Sequence, residues 1–443
     1  MNKEELLKEL NFQLKENLTE KWYPLVVDKK FGGYYSDISN DWKPFGEQNK
    51  MLVTQSRHIW TTSKLSSFYN SEFYKNIAEH GFNFLKDCFW DNEFGGFYLM
   101  RSREGKKSDY LNFADEKRTY PNAFAIYGLA ALYKLNKNDE VLDLAKKTFN
   151  WLEEKAFDKK RNGYYQFLTR EGAVFDKDSS YKSKADDIPE LGFKDQNSSI
   201  HLMEAYTGLL HSWDNEQLRN QLENLLLLIR DKFTTSRGTL NLFFDYELNP
   251  FKYDKSKEEI IKDHRLDHVS FGHDYETGFL MLEASYTLGL KNDLKTLLAS
   301  KKMLDHAIEN GWDKEKGGFY EAGYYFNDKC EIIQPTKNWW AQAEGLNALL
   351  LMSQIFPKEK RYYELFLELW QFVNEFVIDN KNGGWFWGSL DKQPEHRTTP
   401  KGTIWKGTYH TGRALINCIN ILSENSDEMN SFIKHWRQIA EMN

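Results

Sequence analysis

The sequence predicts an all-α fold, an (α/α)6 barrel of about twelve helices with short β-hairpins between repeats. A glycine–aromatic motif recurs six times along the 443 residues. Segments with helical hydrophobic spacing separate its copies, and no change in composition marks a linker. We therefore expect one domain that covers residues 1–443.

The six motif copies set the period of the chain. They lie at residues 31–35, 94–98, 161–165, 237–240, 316–320 and 382–386, with marker glycines at Gly33, Gly96, Gly163, Gly238, Gly318 and Gly384. Neighbouring markers are 63 to 80 residues apart, which accommodates two helices and a hairpin. Gly-Gly and Asn-Gly supply the positive φ of tight turns, and the aromatic residues that follow suit short strands.

The segments between the markers have the hydrophobic period of helices. Apolar residues recur at helical spacing in 122–135, 200–210, 279–288 and 341–355. Six such units closing on one another give the predicted ring.

Composition limits the classes of partner. The chain is 40% hydrophobic, enough for a large core, and its formal charge of −7 argues against nucleic acid. Its three cysteines are far apart and predict neither a disulfide framework nor a thiolate metal site. We expect the amphipathic N-terminus to be a helix start and not a signal peptide, and no apolar run is long enough to span a membrane. We expect a cytoplasmic monomer or homodimer that binds neither nucleic acid nor membranes.

Aromatic residues make up 16% of the chain. They are compatible with an aromatic core and with a carbohydrate-binding protein, because aromatic faces stack on sugar rings.

Polar residues recur where the inner helix of each repeat should start. They are Arg57, Asn122, His201, His273, Glu344 and His410. Equivalent positions in a ring lie at one end of the barrel, so these side chains should meet at one mouth. An ordinary core would have apolar residues at most of these places.

Histidines near carboxylates suit proton transfer at neutral pH. His273 and Glu276 are three residues apart on a helix face, and His201 and Glu204 repeat that spacing. Two histidines on opposite faces of a carbon next to a sugar carbonyl would remove its proton and return it from the other side. The charge of Arg57 would stabilise the enediolate formed on the way.

Each of these residues also has a structural interpretation. A histidine at a helix start can cap the helix, and Arg57 can simply pair with a carboxylate. His264, His268 and His273 have spacings typical of metal ligands, but no acidic ligand pattern accompanies them. We therefore expect no metal and no cofactor.

The motifs Gly272-His273-Asp274, Gln342-Ala343-Glu344 and Tyr409-His410 together resemble the N-acylglucosamine 2-epimerase superfamily, and within it the cellobiose 2-epimerase and mannose 2-epimerase group. The resemblance covers residues 31–421. It implies an (α/α)6 barrel that epimerises a sugar at C2 without a cofactor.

The resemblance also implies roles for individual residues. His273 and His410 match the two acid/base groups, and His201 matches a residue that assists ring opening and binding. The remaining matches are substrate-binding residues, namely Arg57, Asn122, Glu276, Trp340, Glu344 and Trp405. The tryptophans would stack on sugar rings.

One segment departs from the cellobiose-type members. Residues 240–271 are longer than the resemblance predicts and include a charged stretch. A longer rim loop would narrow the mouth and disfavour a disaccharide, as in the mannose-preferring members, or it is an ordinary surface insertion.

The expected reaction is therefore D-mannose to D-glucose, with the reducing-end glucose of a β-1,4 disaccharide as a further substrate. Three alternatives stay open at this point. They are an aldose–ketose isomerase that uses the same intermediate, a glycoside hydrolase that uses Glu276 and Glu344, and a sugar-binding protein without activity.

Overall fold

The helices form two concentric layers. The computed structural model describes residues 2–110, 115–175 and 194–442. Its helices are α1 Lys3–Phe12, α2 Glu20–Trp22, α3 Leu52–Tyr69, α4 Glu72–Phe84, α5 Thr119–Asn136, α6 Asp139–Lys155, α7 Gln196–Leu210, α8 Glu216–Leu228, α9 Lys257–Lys262, α10 Phe271–Leu288, α11 Leu294–Gly311, α12 Trp339–Ile355, α13 Arg361–Phe376, α14 Tyr409–Ser423 and α15 Asp427–Met442.

The inner layer consists of α3, α5, α7, α10, α12 and α14, each packed against the next, and α14 packs against α3 to close the ring. These helices are buried on nearly all sides, whereas α4, α6, α8, α11 and α13 bury one face and form most of the outer layer with α1. The predicted (α/α)6 barrel is confirmed, and α15 is an additional helix against α11, α12 and α14. None of the described helices is long and apolar enough to cross a bilayer.

Short strands join neighbouring repeats. They are β1 Lys50–Met51, β2 Met100–Arg101, β3 Lys117–Arg118, β4 Phe167–Leu168, β5 Lys194–Asp195, β6 Phe243–Phe244, β7 Val269–Ser270, β8 Ala322–Phe326 and β9 Lys329–Gln334. The strand before an inner helix pairs antiparallel with a strand of the next repeat, in the order β1–β2, β3–β4, β5–β6 and β7–β8. A bridge between Ile38 and Gly402 links the last repeat to the first.

The glycine motifs form turns at the predicted places. Each turn is closed by one bridge, as between Val27 and Tyr34 or between Trp312 and Phe319. Gly33 has a φ of +63°, and a Cβ atom there would lie 2.6 Å from Oε1 of Gln55. A side chain is therefore excluded by both the backbone angle and the close approach of α3.

Buried lysine–aspartate pairs hold five of the turns. In four of them the lysine lies two residues before the inner helix, and in the last repeat it is Lys401. Each lysine forms an ion pair with an aspartate at the start of the turn. The pairs are Lys50–Asp28, Lys117–Asp91, Lys194–Asp158, Lys337–Asp313 and Lys401–Asp379, with N–O distances of 2.6 to 3.2 Å. The fourth repeat has Thr235 and Val269 at these two positions, so both charges are absent from it together.

The long segment 240–271 contains β6, α9 and β7 and packs on the β8–β9 hairpin. Lys257 pairs with Glu331 at 2.7 Å, and the hydroxyl of Tyr324 donates to Asp267 at 3.0 Å. None of its described residues lines the barrel cavity. The expected narrowing of the mouth by this segment is therefore not seen among its described residues. The segment reaches the cavity through Ser270, which contacts His273, and through the hairpin on which it packs.

Candidate active site

A cavity of about 310 Å³ opens at the end of the barrel where the inner helices begin. Its walls come from the first two turns of the inner helices α3, α5, α7, α10, α12 and α14 and from the loops beside them. The lining residues are Arg57, Tyr120, Asn197, His201, His273, Glu276, Glu321, Asn338, Trp339, Trp340, Trp387, Trp405 and His410. Seven of the nine residues singled out from the sequence are among them.

His410 lies in the first turn of α14 and is held by a carboxylate. Its Nδ1 atom lies 2.7 Å from Oε1 of Glu344 and 3.9 Å from Oε1 of Glu276. An ionised carboxylate only accepts, so Nδ1 carries the proton and Nε2 presents a lone pair. Burial and the charge of Arg57 lower the pKa of His410 well below its ordinary value, so the ring is neutral at pH 7.

His273 lies in the first turn of α10, and its partner differs from the one that the sequence suggested. Its Nδ1 atom lies 2.8 Å from the hydroxyl oxygen of Ser270, whereas Glu276 contacts Arg413. A hydroxyl both donates and accepts, so either neutral tautomer of His273 is compatible with this contact. Burial and the neighbouring histidines lower the pKa of His273 to about 3.

Trp340 stands against both histidines. Its ring centroid is 4.8 Å from that of His273 and 5.6 Å from that of His410. Gly272 permits this arrangement, because a Cβ atom there would lie 2.7 Å from the indole of Trp340. The glycine of the Gly-His-Asp motif therefore lets α10 and α12 approach closely enough to bring the two imidazoles to one indole.

His201 lies in the second turn of α7 and contacts Glu204, as its spacing predicts. Its Nδ1 atom is 2.8 Å from Oε2 of Glu204. Burial opposes ionisation of Glu204, but Arg413 and His201 outweigh it and lower the pKa of this carboxyl to about 2. Glu204 is thus a charged group that orients the imidazole of His201.

Arg413 contacts the three carboxylates that lie behind the histidines. Its guanidinium donates to Glu204, to Glu276 at 2.5 Å and to Glu344 at 2.7 Å. It also donates to the hydroxyl oxygen of Tyr409 at 2.5 Å. All three carboxylates are at most 2% exposed, so the charge of Arg413 balances part of their mutual repulsion.

Arg57 lines the cavity, and among the described residues no carboxylate forms an ion pair with it. Its Nη2 atom donates to the hydroxyl of Tyr120 at 2.9 Å, and its guanidinium lies 4.2 Å from the ring centroid of Phe124. A fixed cation with remaining donors is suited to an oxyanion.

Two predicted residues do not line the cavity. Asn122 is fully buried, and its amide accepts from the Phe97 N–H at 2.9 Å and donates to the Arg118 carbonyl at 2.8 Å. It binds the second turn to α5 and not a sugar, which corrects the expectation. Glu344 is 1% exposed and lies behind His410, with its Oε1 atom 2.7 Å from Nδ1 of that histidine.

The error at Asn122 has a helical cause. Gln55 and Gln342 make the same paired contacts with the backbone of Tyr34 and Phe319. The residue that faces the barrel axis comes two positions later, which is Arg57 after Gln55 and Phe124 after Asn122. Because two residues turn a helix by about 200°, a shift of two moves a side chain from one face to the other.

Other cavity residues were missed in the sequence. They are Tyr120, Asn197, Glu321, Asn338, Trp339 and Trp387. Asn197 had a usable signal, because it lies four residues before His201 on the same helix face. Glu321 and Trp387 come from loops, so no periodic pattern marks them.

The residues suspected of binding metal have other contacts. The Nδ1 atom of His268 lies 2.8 Å from the carbonyl of His264, and Nε2 of His264 lies 3.1 Å from Oε1 of Gln334. Glu276, Glu344 and His410 do bring ligand atoms within 4.8 Å of one another. Both carboxylates of that group already accept from Arg413.

Comparisons with known proteins agree with this geometry. Residues 33–414 match the profile of the family described as N-acylglucosamine 2-epimerase (GlcNAc 2-epimerase). The chain belongs to this family. A cellobiose 2-epimerase of Dictyoglomus turgidum is 30% identical over 93% of this chain and 99% of its own. A D-mannose isomerase of Marinomonas mediterranea is 24% identical over 91% of this chain and 94% of its own.

A solved structure of cellobiose 2-epimerase from Bacillus thermoamylovorans B4167 superposes with a TM-score of 0.80 at 25% identity, over 94% of this chain and 99% of the other. Membership of the N-acylglucosamine 2-epimerase family makes the protein an enzyme of the isomerase class. The suspected family resemblance is confirmed. The alternative of a sugar-binding protein without activity is wrong.

Proposed function

We propose that the enzyme epimerises a glucose-type aldose at C2, with D-mannose and D-glucose as the substrate pair, and that His273 and His410 transfer the proton. The reducing-end glucose of cellobiose or another β-1,4 disaccharide is a second substrate of the same site. No cofactor takes part in the proposed steps.

The observation that supports this proposal is the position of the two imidazoles. His273 and His410 line one cavity from two different inner helices, and each has its Nδ1 atom occupied by a neighbouring side chain. Among the described residues, no atom forms a hydrogen bond with either Nε2 atom. Two neutral rings facing one cavity suit removal and return of a proton from opposite sides of a carbon.

The first step breaks the C2–H bond of the open-chain aldehyde. Because Glu344 accepts from Nδ1, the Nε2 lone pair of His410 takes the proton, and the electron pair of the bond forms the C1–C2 double bond. The carbonyl oxygen becomes negatively charged and is stabilised by Arg57, which lacks a carboxylate partner in the described residues.

The second step forms a C–H bond at the other face of C2. With Ser270 donating to Nδ1, His273 carries its proton on Nε2 and gives it to C2 while the carbonyl re-forms. Solvent then returns a proton to His273 and takes one from His410, so both imidazoles are neutral again. The hydroxyl of Ser270 can reverse its role, so His273 acts as the base on the opposite epimer. His201 and Glu204 assist opening of the sugar ring.

The test is incubation with mannose, glucose, cellobiose and N-acetylglucosamine in D2O, followed by NMR of the products. We expect deuterium at C2 of both mannose and glucose. Recovered sugars without deuterium at C2 would contradict the proposal, whichever epimer was supplied.

A second candidate is an aldose–ketose isomerase, favoured by the similarity to a D-mannose isomerase. It shares the enediolate and differs in returning the proton to C1. Fructose as the main product from mannose would identify it in the same experiment.

The hydrolase alternative fits the geometry poorly. A glycosidase needs two carboxyl groups on either side of one bond. Glu276 lines the cavity, but Glu344 lies behind His410, and both accept from one guanidinium. A glycosidic bond therefore has no place between them.

A further inference from the structure

We infer that Arg413 is a positioning residue that keeps Glu344 ionised and thereby keeps the Nε2 atom of His410 free to act as a base. This inference rests on the proposed function, because it concerns the proton transfer at the same site. No sequence motif singled out Arg413, which lies on α14 one helical turn after His410.

The first step of the argument is charge. Glu204, Glu276 and Glu344 come from α7, α10 and α12 and are each at most 2% exposed. Three buried carboxylates so close together favour protonation of at least one. Among the described residues, Arg413 is the cation that contacts all three.

The second step identifies the carboxyl that is most easily protonated. Burial raises the pKa of Glu344 above its ordinary value even though Arg413 lowers it, and the charge of Glu204 raises it further. The pKa of Glu204, by contrast, is lowered to about 2, where the same guanidinium outweighs burial. Loss of the positive charge would therefore protonate Glu344 before Glu204.

The third step connects Glu344 to the chemistry. Ionised Glu344 only accepts, so His410 carries its proton on Nδ1 and has a lone pair on Nε2. A protonated Glu344 would donate to Nδ1 and force the proton of the ring onto Nε2. The imidazole would then lie in the same place but have lost its basic atom on the substrate side.

Other charged and titratable groups around the cluster act on it as well. They are Arg57 and Lys64 of α3, Tyr127 of α5, His201 and Glu204 of α7, His273, Tyr275, Glu276 and Glu283 of α10, and Tyr409, His410 and Cys418 of α14. Among these, Glu204 raises the pKa of Glu344 and His201 lowers it, so removal of the Glu204 charge should make Glu344 harder to protonate.

The experiment measures kcat/KM against pH for Arg413→Met, Arg413→Lys and Glu204→Gln, with C2 deuterium exchange as the assay. Arg413→Met should move the acid limb of the kcat/KM profile, the pH range in which activity rises with pH, to higher pH by about one unit or more. It should also lower kcat at pH 7 by about ten-fold with little change in KM. Arg413→Lys keeps the charge and should stay near the wild-type limb. Glu204→Gln removes a negative neighbour and should move the limb to lower pH.

A merely structural arginine would lower the melting temperature and the active fraction without moving the limb. An unmoved limb in both Arg413→Met and Glu204→Gln, or a lysine variant that behaves like the methionine variant, would overturn the inference. If Arg413→Met does not fold, Arg413→Lys and Glu204→Gln still test the inference through the position of the acid limb.

A second readout needs no substrate. In protein labelled with ¹⁵N-histidine, the His410 signals, assigned with His410→Asn, should report a proton on Nδ1. A proton on Nε2 in the wild type would refute the inference even if epimerisation is observed. Conversely, a correct tautomer without any C2 exchange would refute the proposed reaction and leave the role of Arg413 supported.

Discussion

At the scale of single residues, the site depends on which atom of each imidazole is already engaged. His410 donates from Nδ1 to Glu344, and His273 contacts the Ser270 hydroxyl through Nδ1. In both cases Nε2 is the atom left for the substrate. The sequence located both histidines, but it paired His273 with Glu276, whose carboxylate turns towards Arg413 instead.

Removal of either imidazole should abolish most of the proton transfer. We expect His273→Ala and His410→Ala each to lower kcat by about 100-fold or more, the typical contribution of a positioned acid/base group. Because binding rests on other side chains, KM should change much less. Steady-state kinetics on mannose tests this, and a large rise in KM with an unchanged kcat would contradict the catalytic role.

At the scale of elements, the turn and the inner helix of a repeat are joined by one amide. Gln55, Asn122 and Gln342 each make paired contacts with the backbone of the turn. Polar residues at the helix starts therefore fall into two groups. Some bind the backbone of the turn, and only those that face the barrel axis belong to the cavity. Both kinds look alike in the sequence.

Two asparagines of the inner helices separate these tasks. Asn122→Ala should lower the melting temperature, because buried backbone groups of the turn lose their partner, while KM for mannose should change little. Asn197→Ala, at the cavity wall, should raise KM with little loss of stability. Thermal unfolding and kinetics on both variants measure this, and a raised KM for Asn122→Ala alone would restore it as a sugar ligand.

At the scale of the whole molecule, the ring is held by a structural pattern that five repeats share. A buried lysine pairs with an aspartate in the turn of its own repeat, and in four of these repeats the lysine lies two residues before the inner helix. The fourth repeat lacks both members of the pair. Loss of one member alone would leave the other charge buried without its counterion, which is costly.

This pattern predicts the outcome of moving the fourth-repeat residues into the third repeat. Lys194→Val leaves Asp158 buried without its main partner and should cost about 3 to 5 kcal/mol of unfolding free energy. The double variant Asp158→Thr with Lys194→Val should recover a large part of that loss. Chemical denaturation compares the two, and equal losses would show that the pair does not act as a unit.

Acid should destabilise the fold through the same carboxylates. Burial favours their neutral form, but Arg103 and Lys50 lower the pKa of Asp28 to about 2, and Lys194 lowers that of Asp158 to about 2. The ordinary pKa of an aspartate is 3.8. The two ionised aspartates therefore contribute fully to the free energy of unfolding above about pH 4, and this stabilisation is lost as the pH falls towards 2.

Melting temperatures between pH 6 and pH 2 measure this loss. The double variant at positions 158 and 194 serves as the control and should lose less stability than the wild type over that range. An equal loss in both proteins would contradict the assignment to these pairs.

The sequence by itself determined the number of repeats, the position of each turn and the end of the barrel at which the chemistry lies. These are local properties, because residues close together in the chain determine the φ angles of the glycine turns and the helical period. It also determined the family, through motifs that combine a glycine, a histidine and a carboxylate.

Only the tertiary structure decided which polar side chains face the cavity and which carboxylate serves which histidine. Asn122 and Phe124 are two positions apart in the chain but point to different faces of α5. Glu344 of α12 contacts His410 of the neighbouring inner helix α14. Orientation around a helix changes by about 100° per residue, and partners from different helices have no fixed spacing in the chain. The assignment of Arg413 to three carboxylates on three helices could therefore come only from the closed ring.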